Sequence, residues 1–120
     1  MKKKQKQRYR DGFIYFLKEK KKISDFNAKE NPTKFTLVAK APFDKKTIRI
    51  SDLEMENIFE KKIEKKIVIP FFNIDLESNY YIQINKTNAL YNVLHADPTD
   101  NEIYLYLCAY KGGNRHVDIE

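Results

Sequence analysis

Between Asn79 and Cys108 apolar and polar positions alternate with a period of two, in three successive runs. Tyr80, Ile82 and Ile84 alternate with Tyr81, Gln83 and Asn85. Tyr91, Val93 and His95 alternate with Leu90, Asn92 and Leu94. Ile103, Leu105 and Leu107 alternate with Glu102, Tyr104 and Tyr106. Period-two patterning in β-branched and aromatic residues predicts strands. The segments between them carry turn chemistry: Asn85-Lys86-Thr87-Asn88, then Asp97-Pro98-Thr99-Asp100-Asn101. The first ends in Asn88, a residue type that tolerates positive φ, and Pro98 presets the first φ of the second. Strands joined by such short links pair antiparallel, so this stretch predicts a meander around which the chain is organised.

Upstream the pattern is less regular. Asp11-Gly12 reads as a turn that launches a strand over Phe13–Leu17, a short apolar run of the kind buried on both faces. Ser24–Thr33 is polar, with Asn31-Pro32 as a breaker, and predicts a connection. Lys34–Ala41 predicts a second strand, with Phe35, Leu37 and Ala39 on one face and Pro42 ending it. Ala41–Ser51 is then a connector. Ser51 with Glu54 three residues later fits a capping box, and Asp52, Glu54 and Glu56 suit the positive end of a helix dipole. Met55, Ile58 and Phe59 supply one apolar face, so a single short helix is predicted around Asp52–Glu60. Ile63–Ile69 alternates again, and Pro70 closes it. Phe71–Ser78 is a connecting loop whose apolar side chains anchor it to the core. The fold class that follows is mainly β: a small antiparallel β-barrel of about six strands with one short helix and a long connecting loop. Its expected core includes Phe35, Leu37, Ile67, Ile82, Ile84, Tyr91, Val93, Leu105 and Leu107.

Length and composition add three constraints. With 120 residues and 42% hydrophobic content, one domain is expected. It covers 11–111, preceded by a basic arm, 1–10, and followed by a polar tail, 112–120. The single cysteine, Cys108, excludes an internal disulfide, ends an apolar strand and reads as a buried small hydrophobe in a reducing compartment. No apolar run is long enough to span a membrane, and Phe13–Leu17 is too short for the core of a signal peptide. The net charge of +6 is concentrated in the arm, in Lys2, Lys3, Lys4, Lys6, Arg8 and Arg10. Without those six, 17 cations face 17 acids, so the body is neutral overall. The arm is a solvated segment or a contact for phosphates and acidic surfaces.

Catalytic chemistry is sparse. The two histidines, His95 and His116, match no zinc spacing, and there is no glycine-rich phosphate loop. Asp97 and Asp100 flank a Pro turn and read as turn caps, and His95 beside them as structural. No enzyme activity, cofactor, metal or small-molecule substrate is expected. Tyr80, Tyr81, Tyr104 and Tyr106 offer an alternative function, a stacking platform in a small single-stranded nucleic-acid-binding β-barrel. A neutral body lacks the basic groove that accompanies one.

Several segments together resemble the head-closure (stopper, or head–tail adaptor) proteins of long-tailed bacteriophages. Asp11-Gly12-Phe13 is similar to that family's N-terminal Asp-Gly and apolar strand. Ile48-Arg49-Ile50-Ser51-Asp52-Leu53-Glu54 is similar to its mid-chain segment, and Ile67-Val68-Ile69-Pro70 to its strand ending in Pro. Leu90–Pro98 followed by Glu102–Leu107 resembles its closing strands. The similarity covers roughly Arg10 to Lys111, in order and spacing, while the Lys-rich start departs from the family pattern. The resemblance implies a structural virion protein of the head–tail connector. It would close the DNA-filled capsid and dock the tail, after assembly in the host cytoplasm. The implied partners are a portal-adaptor ring protein, a tail-terminus protein, further copies in a ring and the packaged DNA in the channel. Such a ring needs a segment that reaches a neighbour or the lumen. The Ala41–Ser51 connector, with Phe43, Lys45, Lys46 and Arg49, is the expected segment, an apolar tip flanked by cations.

Overall fold

The alternating stretch folds as three consecutive antiparallel strands in a computed structural model that describes residues 9–19, 34–87, 89–110 and 118–119. These strands are β4 (Tyr81–Ile84), β5 (Leu90–Pro98) and β6 (Glu102–Ala109). Before them come β1 (Gly12–Glu19), β2 (Lys34–Lys46) and β3 (Lys65–Pro70), and after them a two-residue β7 (Asp118–Ile119). The neighbour order is β1-β4-β5-β6-β3-β2, and β2 pairs back onto β1, so six antiparallel strands close in a ring. β7 lies in the expected polar tail and adds in parallel to Lys34–Phe35 of β2.

The first turn of the meander places Asn85 at φ 52° and Lys86 at φ 57°. Left-handed backbone at two successive positions matches the right-handed twist of the strands it joins. Asn88, the Asn that ends this turn, lies outside the described residues. In the second turn Pro98 is the last strand residue, and the Thr99 N–H donates to the Glu102 carbonyl at 2.7 Å.

The inside of the ring is filled by Ile14, Phe16, Phe43, Ile67, Ile82, Ile103, Leu105 and Leu107, all at or near zero exposure. The other face of β1 buries Tyr15 and Leu17 against Phe35 and Leu90, so the run Ile14–Leu17 is covered on both sides. Phe13, at its head, is exposed. Ile84, Tyr91 and Val93 are half-buried against the interior. Leu37 departs from the expected core, with 45% of its surface exposed. The β1–β2 register shifts at Phe16/Leu17, from Phe16 opposite Ala39 to Leu17 opposite Leu37, and such a bulge breaks the inward–outward alternation. Of the loop after β3, Phe72, Ile74 and Leu76 pack onto the core as expected, whereas Phe71 is exposed.

Pro42 does not end β2. Residues 35–43 pair with β1, and only Asp44–Lys46 pair with β3. At Pro42 the strand has one ladder partner among the described residues, the edge-like position where a missing N–H is tolerated. β2 therefore changes partner just beyond it.

The helical segment begins as a one-turn 3-10 helix, Ile50–Asp52, and continues as α1 (Leu53–Phe59). It ends at Glu60, whose φ of 56° stops the helix. The cap is supplied by Asp52, whose Oδ2 accepts the Arg49 N–H at 2.8 Å, and not by Ser51 with Glu54. The expected packing face is also rotated. Met55 is half-buried, but Ile58 is 75% exposed and no residue of α1 is fully buried.

Candidate functional site

The connector expected from Ala41 to Ser51 is divided by the fold. Its first half, through Lys46, is strand, and Phe43 points into the ring at zero exposure. Phe43 is therefore not an apolar tip. A Pro in the sequence suggested that the strand had ended, and the two-residue phase of β2 instead carries Ala41 and Phe43 inward. Lys45, Lys46 and Arg49 are exposed.

Pairing of β2 with β3 sets Lys46 opposite Lys66 and Lys45 opposite Ile67. Lys66 in turn lies opposite Tyr106, and Tyr106 opposite His95. Like charges directly opposite repel. Asp52 relieves this: its Oδ2 accepts from Lys66 Nζ at 2.8 Å, with about 10% of each side chain exposed. Burial alone would raise the Asp52 pKa. The Lys66 ammonium and the Arg49 N–H outweigh it and hold the carboxyl below its ordinary range. Burial likewise works against the charge on Lys66, and Asp52 prevails there too, so the Lys66 pKa is raised. Desolvation pushes the Tyr106 hydroxyl up.

This ion pair ties the 3-10 turn, and α1 that continues it, to β3. Two further contacts hold the insertion. The Glu56 carboxylate accepts the Ile63 N–H at 2.7 Å. The Phe59 ring lies 6.2 Å from His95, which lies 5.9 Å from Tyr106. His95 is thus a packing element between two rings. Asp52 reaches β3 and the Phe59 ring reaches His95 of β5, although Phe59 is itself 42% exposed, and Glu56 bonds within the insertion; Ile50, Leu53, Glu54, Asn57 and Ile58 are exposed.

One end of the ring opens beside this insertion. A cavity of about 240 Å³ is lined by apolar Phe43, Ile48, Ile67 and Ile84, by Lys45, Lys46, Lys65 and Lys66, and by one acid, Glu64. Lys65 Nζ stands 5.9 Å from the Tyr91 ring centroid, its stem laid over apolar surface. Neither this mouth nor the Asp52–Lys66 pair was read from the sequence. The available signal was the pair of Lys-Lys steps, 45–46 at the end of one strand and 65–66 at the start of the next. It becomes meaningful only once those strands are known to pair.

The basic arm is described only at its end. Lys2, Lys3, Lys4, Lys6 and Arg8 lie outside the described residues. Tyr9 and Arg10, expected to be part of the arm, are tied to the body: their N–H groups donate to Asp44 Oδ2 at 2.8 Å and Oδ1 at 2.7 Å. Tyr9 Oη also donates to Glu102 at 2.6 Å. The hydrogen bond from Tyr9 leads in holding the Asp44 carboxyl below its usual range.

The four tyrosines of the expected stacking platform do not share a face. Tyr80 is buried edge-to-face on Phe16, Tyr81 packs on Phe35 and Tyr110, and only Tyr104 and Tyr106 lie on the outer side of β6. Tyr106 is itself 7% exposed. Cys108 is buried with its Sγ 3.8 Å from the Asn92 carbonyl. Among the described residues no three His, Cys, Asp or Glu side chains gather as a metal site, and no helix is long and apolar enough to cross a membrane. Comparison with protein-family models, with characterised proteins and with solved structures found no match to this chain.

Proposed function

We propose that the chain is a structural subunit of a phage head–tail connector, closing the DNA-filled capsid and offering a surface to which the tail docks. The observation that carries this reading beyond the sequence resemblance is the insertion between β2 and β3. A closed ring of strands has no continuous open edge to offer a partner, so contacts must be made by what projects from it. Among the described residues a short helix projects, held through the Asp52–Lys66 pair and the Phe59–His95 contact, with Ile50, Leu53 and Ile58 turned to solvent. A short helix with its apolar side outward is poorly spent on the stability of the free subunit and well placed for an interface. The partners in this reading are a portal-adaptor ring protein, a tail-terminus protein, further copies of the chain and the DNA in the channel. The place of action is the virion, after assembly in the host cytoplasm.

The test is genetic. Removing the coding sequence from its parent genome should leave heads that fill with DNA but leak it and lack tails in negative-stain images, and supplying the protein in trans should restore infectious particles. Normal yields of tailed, DNA-filled particles without the protein would overturn the proposal.

A further inference from the structure

The insertion and the open end of the ring are complementary surfaces on one chain. The outward side of the 3-10 turn and α1 presents Ile50, Leu53 and Ile58, exposed by 85, 43 and 75%, with Glu54 among them. The segment from Ile50 to Glu60 holds four acids and no cation. Two of the acids, Asp52 and Glu56, are spent on internal bonds. The mouth of the ring has the opposite balance: apolar Phe43, Ile48, Ile67 and Ile84 with four lysines, Lys45, Lys46, Lys65 and Lys66, against one acid, Glu64, and room for an aliphatic side chain. In a single molecule the two cannot meet, because α1 is pinned by its inner side and turns its apolar side away from the strands.

We infer that the two surfaces meet between copies: the outward side of α1 of one subunit docks into the lysine-lined mouth of the next, with Ile58 or Leu53 over its apolar residues and Glu54 against Lys45 and Lys65. A contact between two different patches of the same chain is heterologous, and repetition gives a closed ring or an open filament. This deepens the connector reading by naming the contact between neighbouring subunits, and it rests on that reading only for the ring as the form that results. The patch on α1 is small, so the free protein associates weakly and the contact is read at high protein concentration and low salt, where the charge pairs are least screened.

The test is a charge exchange. In the wild-type chain, sedimentation velocity should show oligomers that grow with concentration and shrink with added salt. Glu54→Lys should reduce association at least tenfold, and so should Lys45→Glu combined with Lys65→Glu. Glu54 and Lys45 lie at the surface, so Glu54→Lys and the single variant Lys45→Glu should melt within a few degrees of wild type; Lys65 is half-buried beside Tyr91, so any loss of association in the double variant counts only where Lys45→Glu alone shows the same direction. An equal mixture of the two variants should associate again in alternation, because the new lysine at position 54 of one meets the new glutamates at positions 45 and 65 of the other at one junction, and native Glu54 meets native Lys45 and Lys65 at the next. A second measurement is a disulfide trap. Ile58→Cys mixed with Lys45→Cys should give mixed disulfide dimers in excess of either homodimer. The inference is overturned if the wild-type chain stays monomeric in sedimentation and the cysteine pair gives no excess of mixed dimers, if the single-sign variants associate as wild type, or if their mixture gains nothing. These outcomes are separate from the virion phenotype: tailed particles that form without the protein would sink the connector role and leave the contact standing.

Discussion

Gly12 and Asn85 show how much of this fold depends on single side chains meeting backbone. Gly12 has φ of 129°, and a Cβ built there would lie 1.9 Å from Asn85 Oδ1. The space is taken because Asn85 seals the start of β1: its Oδ1 accepts the Phe13 N–H at 2.9 Å and its Nδ2 donates to the Asp11 carbonyl at 3.2 Å. Any other residue at position 12 meets both the backbone strain and the clash. Gly12→Ala should therefore destabilise by about 2–3 kcal/mol. Asn85→Ala alone should cost about 1–2 kcal/mol for its lost hydrogen bonds. In the double variant the clash is gone, so the combined loss should fall short of the sum. Urea denaturation of the three variants measures this, and strict additivity would contradict the described contact.

At the scale of elements, the insertion is held through an ion pair whose strength depends on pH. Asp52 has a folded pKa below its unfolded value, so its contribution is present above the unfolded value, about 4, and is lost as pH falls through the folded one. Asp52→Asn should cost about 1–2 kcal/mol at pH 7, and the gap to wild type should narrow as pH falls below about 4. Melting temperatures across that range check it; a gap that stays constant would mean that Asp52 acts by shape alone. What was legible at this scale divides along physical lines. The meander was read because Ile82, Val93 and Leu105 obey a two-residue period that no tertiary event disturbs. The helix is legible from its acidic first turn, Asp52, Glu54 and Glu56, although the Ser51–Glu54 capping box does not form. Its orientation was missed, because Met55, Ile58 and Phe59 give the same pattern whether the apolar face meets a core or a solvent-exposed interface. β2 was cut short at Pro42 because local sequence cannot say that a strand has one neighbour there and another partner two residues later. Leu37 was misplaced by a bulge that depends on pairing with β1. Of the candidate site, Lys45, Lys46 and Arg49 were found as exposed cations, whereas Phe43 belongs to the core, and the mouth and the Asp52–Lys66 pair exist only after β2 and β3 come together.

For the whole molecule, the folded unit includes Tyr9 and Arg10, which composition marked as part of the arm. Deleting residues 1–8 should leave the thermal melt within a few degrees of the full chain, since that stretch has almost nothing to bury. Deleting residues 1–10 should lower it clearly, because Asp44 and Glu102 then lose the partners that Tyr9 and Arg10 provide. Equal melts would place the boundary after Arg10. The same closure that defines this unit has a consequence during synthesis. β1 is bordered by β2 on one side and β4 on the other, with Ile14 opposite Ile84. A ribosome releases the chain from its N-terminus, so the aromatic run at residues 13–17 emerges long before its second neighbour exists. Until roughly the whole domain is out, that strand remains a sticky half-paired ribbon. Closure of so distant a pair is slow relative to local hairpin formation. The nascent chain is therefore exposed to aggregation for most of its translation, and chaperone demand falls on the first strand to be made.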